Sequence, residues 1–173
     1  MITQPRSRLA VVQPHGPDSQ LIPGLTASTR LTSTDTGFIS IVEHLFSPGV
    51  LVPPHIHTLE DEISYVVLGE IGFRSNGKEV TLAAGGYIVK PRNELHSMWN
   101  AGSTPARMIE IISPAGFEKY FVELAEAVAA AGGVPDPSTM GAIAGRFGLS
   151  FDLGEVPDLG ARYGLTAPAG APR

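Results

Sequence analysis

The sequence has 173 residues, of which 43% are hydrophobic and 17% are charged, with a net charge of −5 and no cysteine. This length and composition fit a single globular domain with appendages. The acidic balance argues against nucleic acid or an anionic membrane as a partner, because both need clustered Lys and Arg. The lack of cysteine excludes disulfides, thiol nucleophiles and thiolate metal ligands.

Residues 1–36 predict an irregular N-terminal arm, because prolines interrupt any long element. Leu9–Val12 and Thr26–Thr32 are candidate edge strands within it. The run Leu9–Val12 is too short for the apolar segment of a secretory leader. No stretch approaches the roughly 18 consecutive apolar residues of a membrane-spanning helix. We therefore expect a cytoplasmic protein.

Residues 37–113 combine apolar β-type runs with turn residues at nearly regular intervals. The predicted strands are Phe38–Phe46, Glu62–Leu68, Glu70–Ser75, Lys78–Leu82, Tyr87–Lys90, Leu95–Asn100 and Arg107–Ile112. Asn76-Gly77 is a strong hairpin signal between two of them. Short strands with turns about every 8–12 residues indicate an all-β sandwich or barrel.

Residues 114–151 predict a helical cover over an open side of this β body. Apolar residues from Phe117 to Val128 recur with the period of an amphipathic helix, which should end at Gly132-Gly133. A second, shorter helix is predicted after Asp136-Pro137, an N-cap followed by proline at the first helical position. Residues 152–173 are rich in Gly, Pro and Ala and predict a flexible tail.

The candidate chemistry lies in two of the β segments. His55 and His57 are separated by one residue, so in an extended segment both side chains point the same way. Glu62 opens the following strand, and His96 lies in a comparable setting further on. Three imidazoles and one carboxylate suit a divalent transition metal such as Fe, Mn, Ni, Co, Cu or Zn.

Both segments resemble the motifs of a known superfamily, the cupins. Gly49–Gly69 resembles the first cupin motif in its spacing of glycine, His-X-His, glutamate and glycine. Gly85–Asn100 resembles the second motif, at Gly85, Pro91, His96 and Asn100. Asn93 stands where the family has glycine, but asparagine tolerates the left-handed conformation that the turn requires.

This resemblance implies a single-domain, jelly-roll-like antiparallel β-barrel with C-terminal α-helices. It also implies one divalent metal inside the barrel, with the ligands His55, His57, Glu62 and His96. Such an ion would act as a Lewis acid and, if redox-active, as a relay to O₂. Glu62 is the candidate catalytic residue, as a ligand that accepts a proton when it leaves the ion.

Further residues narrow the resemblance to small cupins grouped with bacterial quercetin dioxygenases. They are Pro105-Ala-Arg107 and the run from Ser113 to Phe121, together with the run from His55 to Glu62. The narrower resemblance implies O₂-dependent cleavage of a flavonol-type small-molecule substrate, which would bind the metal through a hydroxyl and an adjacent ketone.

Inward strand positions predict a mostly apolar pocket, which favours an aromatic or enolic substrate over a sugar phosphate. Its predicted lining is Ser64, Val66, Phe73, Met98 and Ile109, with Met108 replacing Ile109 if the strand has the opposite parity. Glu60 and Asp61 are expected to face solvent, and His44 is expected to be a structural histidine.

Two other functions agree with the same residues. One is a non-catalytic cupin that binds a metal or a small molecule, and the other is an isomerase or lyase that needs no oxygen. The N-terminal arm and the apolar helix also predict a homodimer, formed by strand exchange or sheet packing.

Overall fold

The computed structural model describes residues 11–12, 19–22 and 24–166. Leu9 and Ala10 of the candidate strand Leu9–Val12 therefore lie outside the described residues, and Val11 and Val12 are not in a strand. The strands are β1 (Ser19–Ile22), β2 (Leu25–Leu31), β3 (Ser40–Phe46), β4 (Leu51–His57), β5 (Asp61–Leu68), β6 (Glu70–Ser75), β7 (Lys78–Ala83), β8 (Tyr87–Lys90), β9 (His96–Trp99), β10 (Ala106–Ser113) and β11 (Leu149–Phe151). The helices are α1 (Ser33–Thr36), α2 (Glu118–Ala131), α3 (Pro137–Arg146) and α4 (Val156–Tyr163).

The described strands form two antiparallel sheets, which confirms the all-β jelly-roll-like class with C-terminal helices. The first sheet has the order β1-β2-β3-β10-β5-β8, and the second has the order β11-β4-β9-β6-β7. Thr26–Thr32 was predicted as an edge strand, but the corresponding strand β2 lies between β1 and β3. The edge position was wrong, because β2 pairs with β3 on one side and with β1 on the other.

The turns form where the sequence predicts them. Asn76 and Gly77 have φ values of 48° and 74°, and they connect β6 to β7 with Ser75 opposite Lys78. Asn93 has a φ of 65°, so it adopts the left-handed conformation expected at this departure from the motif. The Asn93 amide also donates a hydrogen bond of 2.7 Å to the His57 carbonyl, which ties the turn before β9 to the end of β4.

The main hydrophobic core lies between the sheets. Val42 and Phe46 of β3 and Val66 of β5 face it from the first sheet, and Phe73 and Met98 face it from the second. On β3, β5 and β10, buried side chains alternate with more exposed ones. This alternation is expected for strands with one face on a core.

Helices α2 and α3 have the predicted ends. Gly132 ends α2 in the left-handed conformation, and the Asp136 side chain caps α3 by accepting a 3.0 Å hydrogen bond from the Thr139 amide. Helix α2 contributes Tyr120, Phe121 and Leu124 to the main core, so it covers part of the β body as the sequence predicts. No helix in the described ranges is long and apolar enough to cross a membrane.

The structure differs from the sequence prediction after residue 152, where a flexible tail was expected. A short 3-10 helix and α4 occupy residues 153–163, and residues 167–173 of the predicted tail lie outside the described residues. Leu159 and Leu165 pack with Leu51 and Trp99 in a second apolar cluster. The Trp99 indole lies against Gly72, where an added Cβ would come within 2.3 Å of it. The tail is ordered here because it covers this tryptophan.

Candidate metal centre

The four predicted ligands meet between the two sheets. His55 and His57 lie on β4 and His96 lies on β9, directly opposite His55. Glu62 approaches from β5 in the other sheet. All four side chains are buried, with 2–4% of each residue exposed. The fold therefore brings together residues that are up to 41 positions apart in the sequence (96 − 55).

The geometry suits a single ion. One potential ligand atom from each residue can be chosen so that all four atoms lie within 4.8 Å of one another. The imidazole of His55 lies 4.3 Å from that of His96 and 5.2 Å from that of His57, measured between ring centroids. Such a compact set of nitrogen and carboxylate donors fits a first-row divalent ion.

The Nδ1 atom of each imidazole faces an oxygen atom close in sequence. For His55 this is the Pro53 carbonyl at 2.7 Å, and for His96 it is the Glu94 carbonyl at 3.0 Å. For His57 it is Oε2 of Glu60, at 3.5 Å. For His55 and His96, the acceptor at Nδ1 fixes the tautomer and directs the lone pair of Nε2 away from it, as in many protein metal sites. The His57 contact is too long for a hydrogen bond, and neither Nδ1 of His57 nor Oε2 of Glu60 has a hydrogen-bond partner among the described residues.

The carboxylate side of the site is a chain of buried charges. Oε2 of Glu62 lies 2.9 Å from Nζ of Lys90, and the same Nζ lies 3.0 Å from Oε2 of Glu110. The other oxygen of Glu110 accepts a 2.9 Å hydrogen bond from the Ser64 hydroxyl. These four residues, Glu62, Lys90, Glu110 and Ser64, are called the charge chain below.

The charge chain sets the protonation of its members. Burial alone would raise the pKa of Glu62, but the Lys90 ammonium and the imidazoles of His57 and His96 outweigh it and hold that pKa well below its usual value. Burial likewise opposes the charge on Lys90, but Glu110 and Glu62 raise its pKa. Burial raises the pKa of Glu110 to about 7 despite the nearby ammonium. Glu62 is therefore ionised and Lys90 is charged at neutral pH.

The histidines leave lone pairs that a cation would satisfy. Nε2 of His96 lies 3.2 Å from Oε2 of Glu62, and Nε2 of His57 lies 3.4 Å from Oε1. Burial lowers the pKa of His96, which favours its neutral form. A neutral imidazole carries one N–H, so one of the two oxygen contacts of His96 has no hydrogen. A divalent ion between these atoms would replace that repulsion by coordination.

The predicted pocket residues lie in the interior, with one exception. Ser64, Val66, Phe73 and Met98 are at most 5% exposed. On β10 it is Met108 that faces the interior, where it is fully buried. Ile109, the residue first predicted to line the pocket, lies on the outer face of the sheet. The interior is also less apolar than predicted, because the charge chain lies beside the four candidate ligands.

Two acidic neighbours of Glu62 have different environments. The prediction that Glu60 faces solvent was wrong, because Glu60 is only 5% exposed and points toward His57. Asp61 is partly exposed and pairs with Arg92 at 2.8 Å. His44 is buried outside the site, where its ring packs against Phe46 and Phe121, so it is a structural histidine as predicted.

Sequence reasoning missed four residues next to the site. Phe117 packs edge-on against His57 at 4.4 Å, and Phe151 lies 5.9 Å from His55. Both come from the segments that follow the barrel. Lys90 and Glu110 were missed because their positions depend on strand register. One sequence signal was available for Glu110. It lies two residues after Met108 on the same strand, so placing Met108 in the interior would also have placed Glu110 there.

Comparison with known proteins agrees with this fold. Residues 42–112 match the model of the cupin domain family. A crystal structure described as a predicted oxalate decarboxylase from Thermotoga maritima superposes with a TM-score of 0.54 at 26% sequence identity. The superposition covers 61% of this chain and 99% of that chain.

Curated relatives match over the same part of the sequence. The tetracenomycin polyketide synthase protein TcmJ of Streptomyces glaucescens is 34% identical over 79 residues, which is 46% of this chain and 52% of that protein. An oxalate-binding protein of Thermotoga maritima is 40% identical over 65 residues, or 38% of this chain and 54% of that protein. The matches span about half the length of these relatives.

Proposed function

Because this chain belongs to the cupin superfamily, we propose that it is a metal-dependent dioxygenase that acts on a small substrate chelated through two oxygen atoms. One divalent transition-metal ion would be held by His55, His57, Glu62 and His96. The observation that carries the proposal is the convergence of these four buried donors between the sheets. The bound ion would supply Lewis acidity and, if redox-active, electron transfer to O₂.

The protein contributes fixed donors and a dry environment. Acceptors at Nδ1 of His55 and His96 hold the rings, so their Nε2 lone pairs are directed before any ion binds. Phe117 and Phe151 pack against the imidazoles and limit the access of water. Ser64, Val66, Phe73 and Met98 are the candidate substrate contacts on the strands.

Glu62 has two parts in this proposal. As a ligand, it contributes the only negative charge among the four donors. As a catalytic residue, it would accept a proton from the substrate hydroxyl, because its carboxylate is ionised. The neighbouring Lys90 ammonium makes Glu62 a weaker base, so the proton transfer would depend on the acidity of a substrate hydroxyl that is bound to the ion.

The substrate class follows from the donor count and the relatives. An octahedral ion with four protein ligands keeps two positions, which suits a flavonol, an enediol or a dicarboxylate. The names of the oxalate-binding relative and of the predicted oxalate decarboxylase both refer to a dicarboxylate that can chelate through two oxygens. We therefore include oxalate among the substrates to be tested.

The reaction can be tested by oxygen uptake. Protein loaded separately with Fe, Mn, Ni, Co or Cu would be mixed anaerobically with flavonols, enediols or oxalate and then exposed to O₂. We expect uptake with at least one pair of metal and flavonol or enediol, and none with the His55→Gln variant. Uptake with oxalate that yields CO₂ and H₂O₂ would indicate an oxidase and not a dioxygenase. No uptake across the whole panel would refute the dioxygenase. Turnover without O₂ would identify an isomerase or lyase instead.

A second candidate is a non-catalytic cupin that binds a small anion through its metal. The similarity to an oxalate-binding protein favours this alternative. It predicts that calorimetry detects oxalate binding to the metal-loaded protein while product analysis detects no conversion, with or without O₂. Conversion of any bound ligand would exclude it.

We also propose that the protein forms a homodimer through the outer face of the first sheet. Neighbouring strands align apolar side chains there in two rows, Ile41-Ile111-Ile63-Val89 and Ile109-Tyr65-Tyr87. Tyr87 and Val89 are 66% and 59% exposed. Face-to-face packing of two copies would cover the rows on both chains at once.

Sedimentation at micromolar concentration tests the dimer. We expect Val89→Lys to produce monomers, whereas Val80→Lys on the other sheet should leave the dimer unchanged. A monomeric wild-type protein would contradict this proposal.

A further inference from the structure

Lys90 is a fully buried lysine, and both of its ion-pair partners are buried carboxylates. It is 1% exposed, and its ammonium lies between one oxygen of Glu62 and one oxygen of Glu110. A buried ammonium is costly unless it is paired and hydrogen-bonded, so this position requires both carboxylates. The Ser64 hydroxyl holds the other oxygen of Glu110. The ammonium is therefore held in place from the side away from the candidate metal site.

This arrangement makes the two oxygens of Glu62 different from each other. Oε2 is occupied by Lys90 at 2.9 Å and also faces His96, whereas Oε1 faces His57 at 3.4 Å. A charge-assisted hydrogen bond of this length is among the stronger polar contacts in a protein interior. Lys90 takes up one lone pair of Oε2, whereas Oε1 has no ammonium partner, so Oε1 is the better electron donor to an ion.

We propose that Lys90, held by Glu110 and Ser64, keeps Glu62 a one-oxygen metal ligand and so preserves two open positions for a chelating substrate. The inference rests on the proposed metal site and adds a positioning residue to it. Three imidazoles and one carboxylate oxygen fill four of the six positions of an octahedral ion. If Glu62 bound through both oxygens, a single position would remain and a two-oxygen ligand could not chelate.

The effect of position can be separated from the effect of charge. Above the Glu110 pKa of about 7, the double variant Lys90→Met/Glu110→Gln removes one positive and one negative charge and approximately preserves side-chain volume, so the net charge near the ion is unchanged. The measurements are therefore made at alkaline pH. Replacing both partners of a buried ion pair is tolerated far better than removing one. A matched control, Lys119→Met/Glu126→Gln, makes the same changes at exposed positions of α2.

The test uses Co²⁺ as the metal and infrared difference spectroscopy on protein labelled with ¹³C-glutamate. In wild-type protein, Co²⁺ loading should give the wide separation of carboxylate stretching bands that is typical of one-oxygen coordination. In Lys90→Met/Glu110→Gln the separation should narrow to the two-oxygen pattern. Acetohydroxamate, a two-oxygen chelator, should bind the Co²⁺ form of this variant about 10-fold or more weakly than the wild type. Acetate binding should change little.

The possible results separate this inference from the function on which it rests. Failure of wild-type protein to bind Co²⁺ would overturn the metal site itself. If wild-type protein binds Co²⁺ and its infrared bands show two-oxygen coordination by Glu62, only the proposed role of Lys90 would be overturned. This result can be observed without any variant. The same bands and the same acetohydroxamate affinity in wild type and variant would overturn it as well.

Discussion

The candidate site has an imidazole half and a carboxylate half, and the two are built differently. In the imidazole half, each Nδ1 faces an oxygen atom two or three residues away in sequence, such as the Pro53 carbonyl for His55. In the carboxylate half, Glu62, Lys90 and Glu110 come from three neighbouring strands, β5, β8 and β10. Local sequence can thus orient the histidines, but only the correct strand register can assemble the charge chain.

The difference also affects the energetics. The imidazole half is held largely by main-chain acceptors, which single substitutions leave in place. The carboxylate half contains opposite charges in a dry interior, where removing one partner leaves the other uncompensated. We therefore expect substitutions in the carboxylate half to affect folding stability, and substitutions in the imidazole half to affect mainly metal binding.

The largest expected effect is that of Lys90→Met on the metal-free protein. The substitution leaves Glu62 and Glu110 buried without their cation, which should lower the free energy of unfolding by about 3–5 kcal/mol. Urea denaturation measures this change. The variant Lys90→Met/Glu110→Gln should lose less than the single variant. An equal or greater loss in the double variant would show that the ion pair is not what stabilises this half.

The second prediction concerns His44, a buried histidine outside both halves. Burial lowers its pKa from 6.5 to about 4. Between these values the unfolded chain binds a proton that the folded protein excludes, so His44 reduces stability as the pH falls. From pH 7 to pH 4, wild-type protein should lose about 3 kcal/mol more than His44→Gln. Parallel pH profiles from urea denaturation would contradict this.

The third prediction tests the one histidine whose Nδ1 faces a side chain. Glu60→Met removes the oxygen atom 3.5 Å from His57. Calorimetry should then show Zn²⁺ binding weakened about 10- to 100-fold, the usual cost of losing such a partner. Glu60→Gln keeps an acceptor and should lose less. If both variants bind Zn²⁺ as wild type does, Glu60 does not orient His57.

The smallest expected effect concerns the turn that leads into His96. Asn93→Ala keeps the Cβ but removes the short polar side chain that makes the left-handed conformation tolerable, so it should cost about 1–2 kcal/mol of stability. Asn93→Gly should change stability by less than about 1 kcal/mol. Thermal unfolding measures both. A large loss with glycine would mean that the asparagine side chain, and not the backbone conformation, supports this turn.

Motif spacing was sufficient to predict the four candidate ligands, because each lies at a fixed distance from turn-forming glycines and prolines. Lys90 and Glu110 could not be found in this way. Their place in the site depends on the pairing of Glu62 with Lys90 and of Ser64 with Glu110. Both faces of β10 carry apolar side chains. The sequence pattern of this strand alone therefore could not decide whether Met108 or Ile109 faces the interior.

The segment after residue 152 was difficult to predict for a different reason. Its Gly, Pro and Ala content resembles that of a flexible tail, yet Leu159 and Leu165 are buried against Trp99. A few well-spaced apolar residues were enough to order a helix, because the barrel presents a large aromatic side chain that needs cover. Composition averages over the segment and therefore misses these contacts.

The central claim is that one divalent ion binds between the two halves of the site. The most direct test is elemental analysis of wild-type protein and of the variant His57→Gln/His96→Gln, each loaded with Mn, Fe, Co, Ni, Cu or Zn and then desalted. We expect one ion per chain in wild-type protein for at least one of these metals and almost none in the variant, with the same fold by circular dichroism. Equal metal content in both proteins, or none in wild type with any metal, would contradict it.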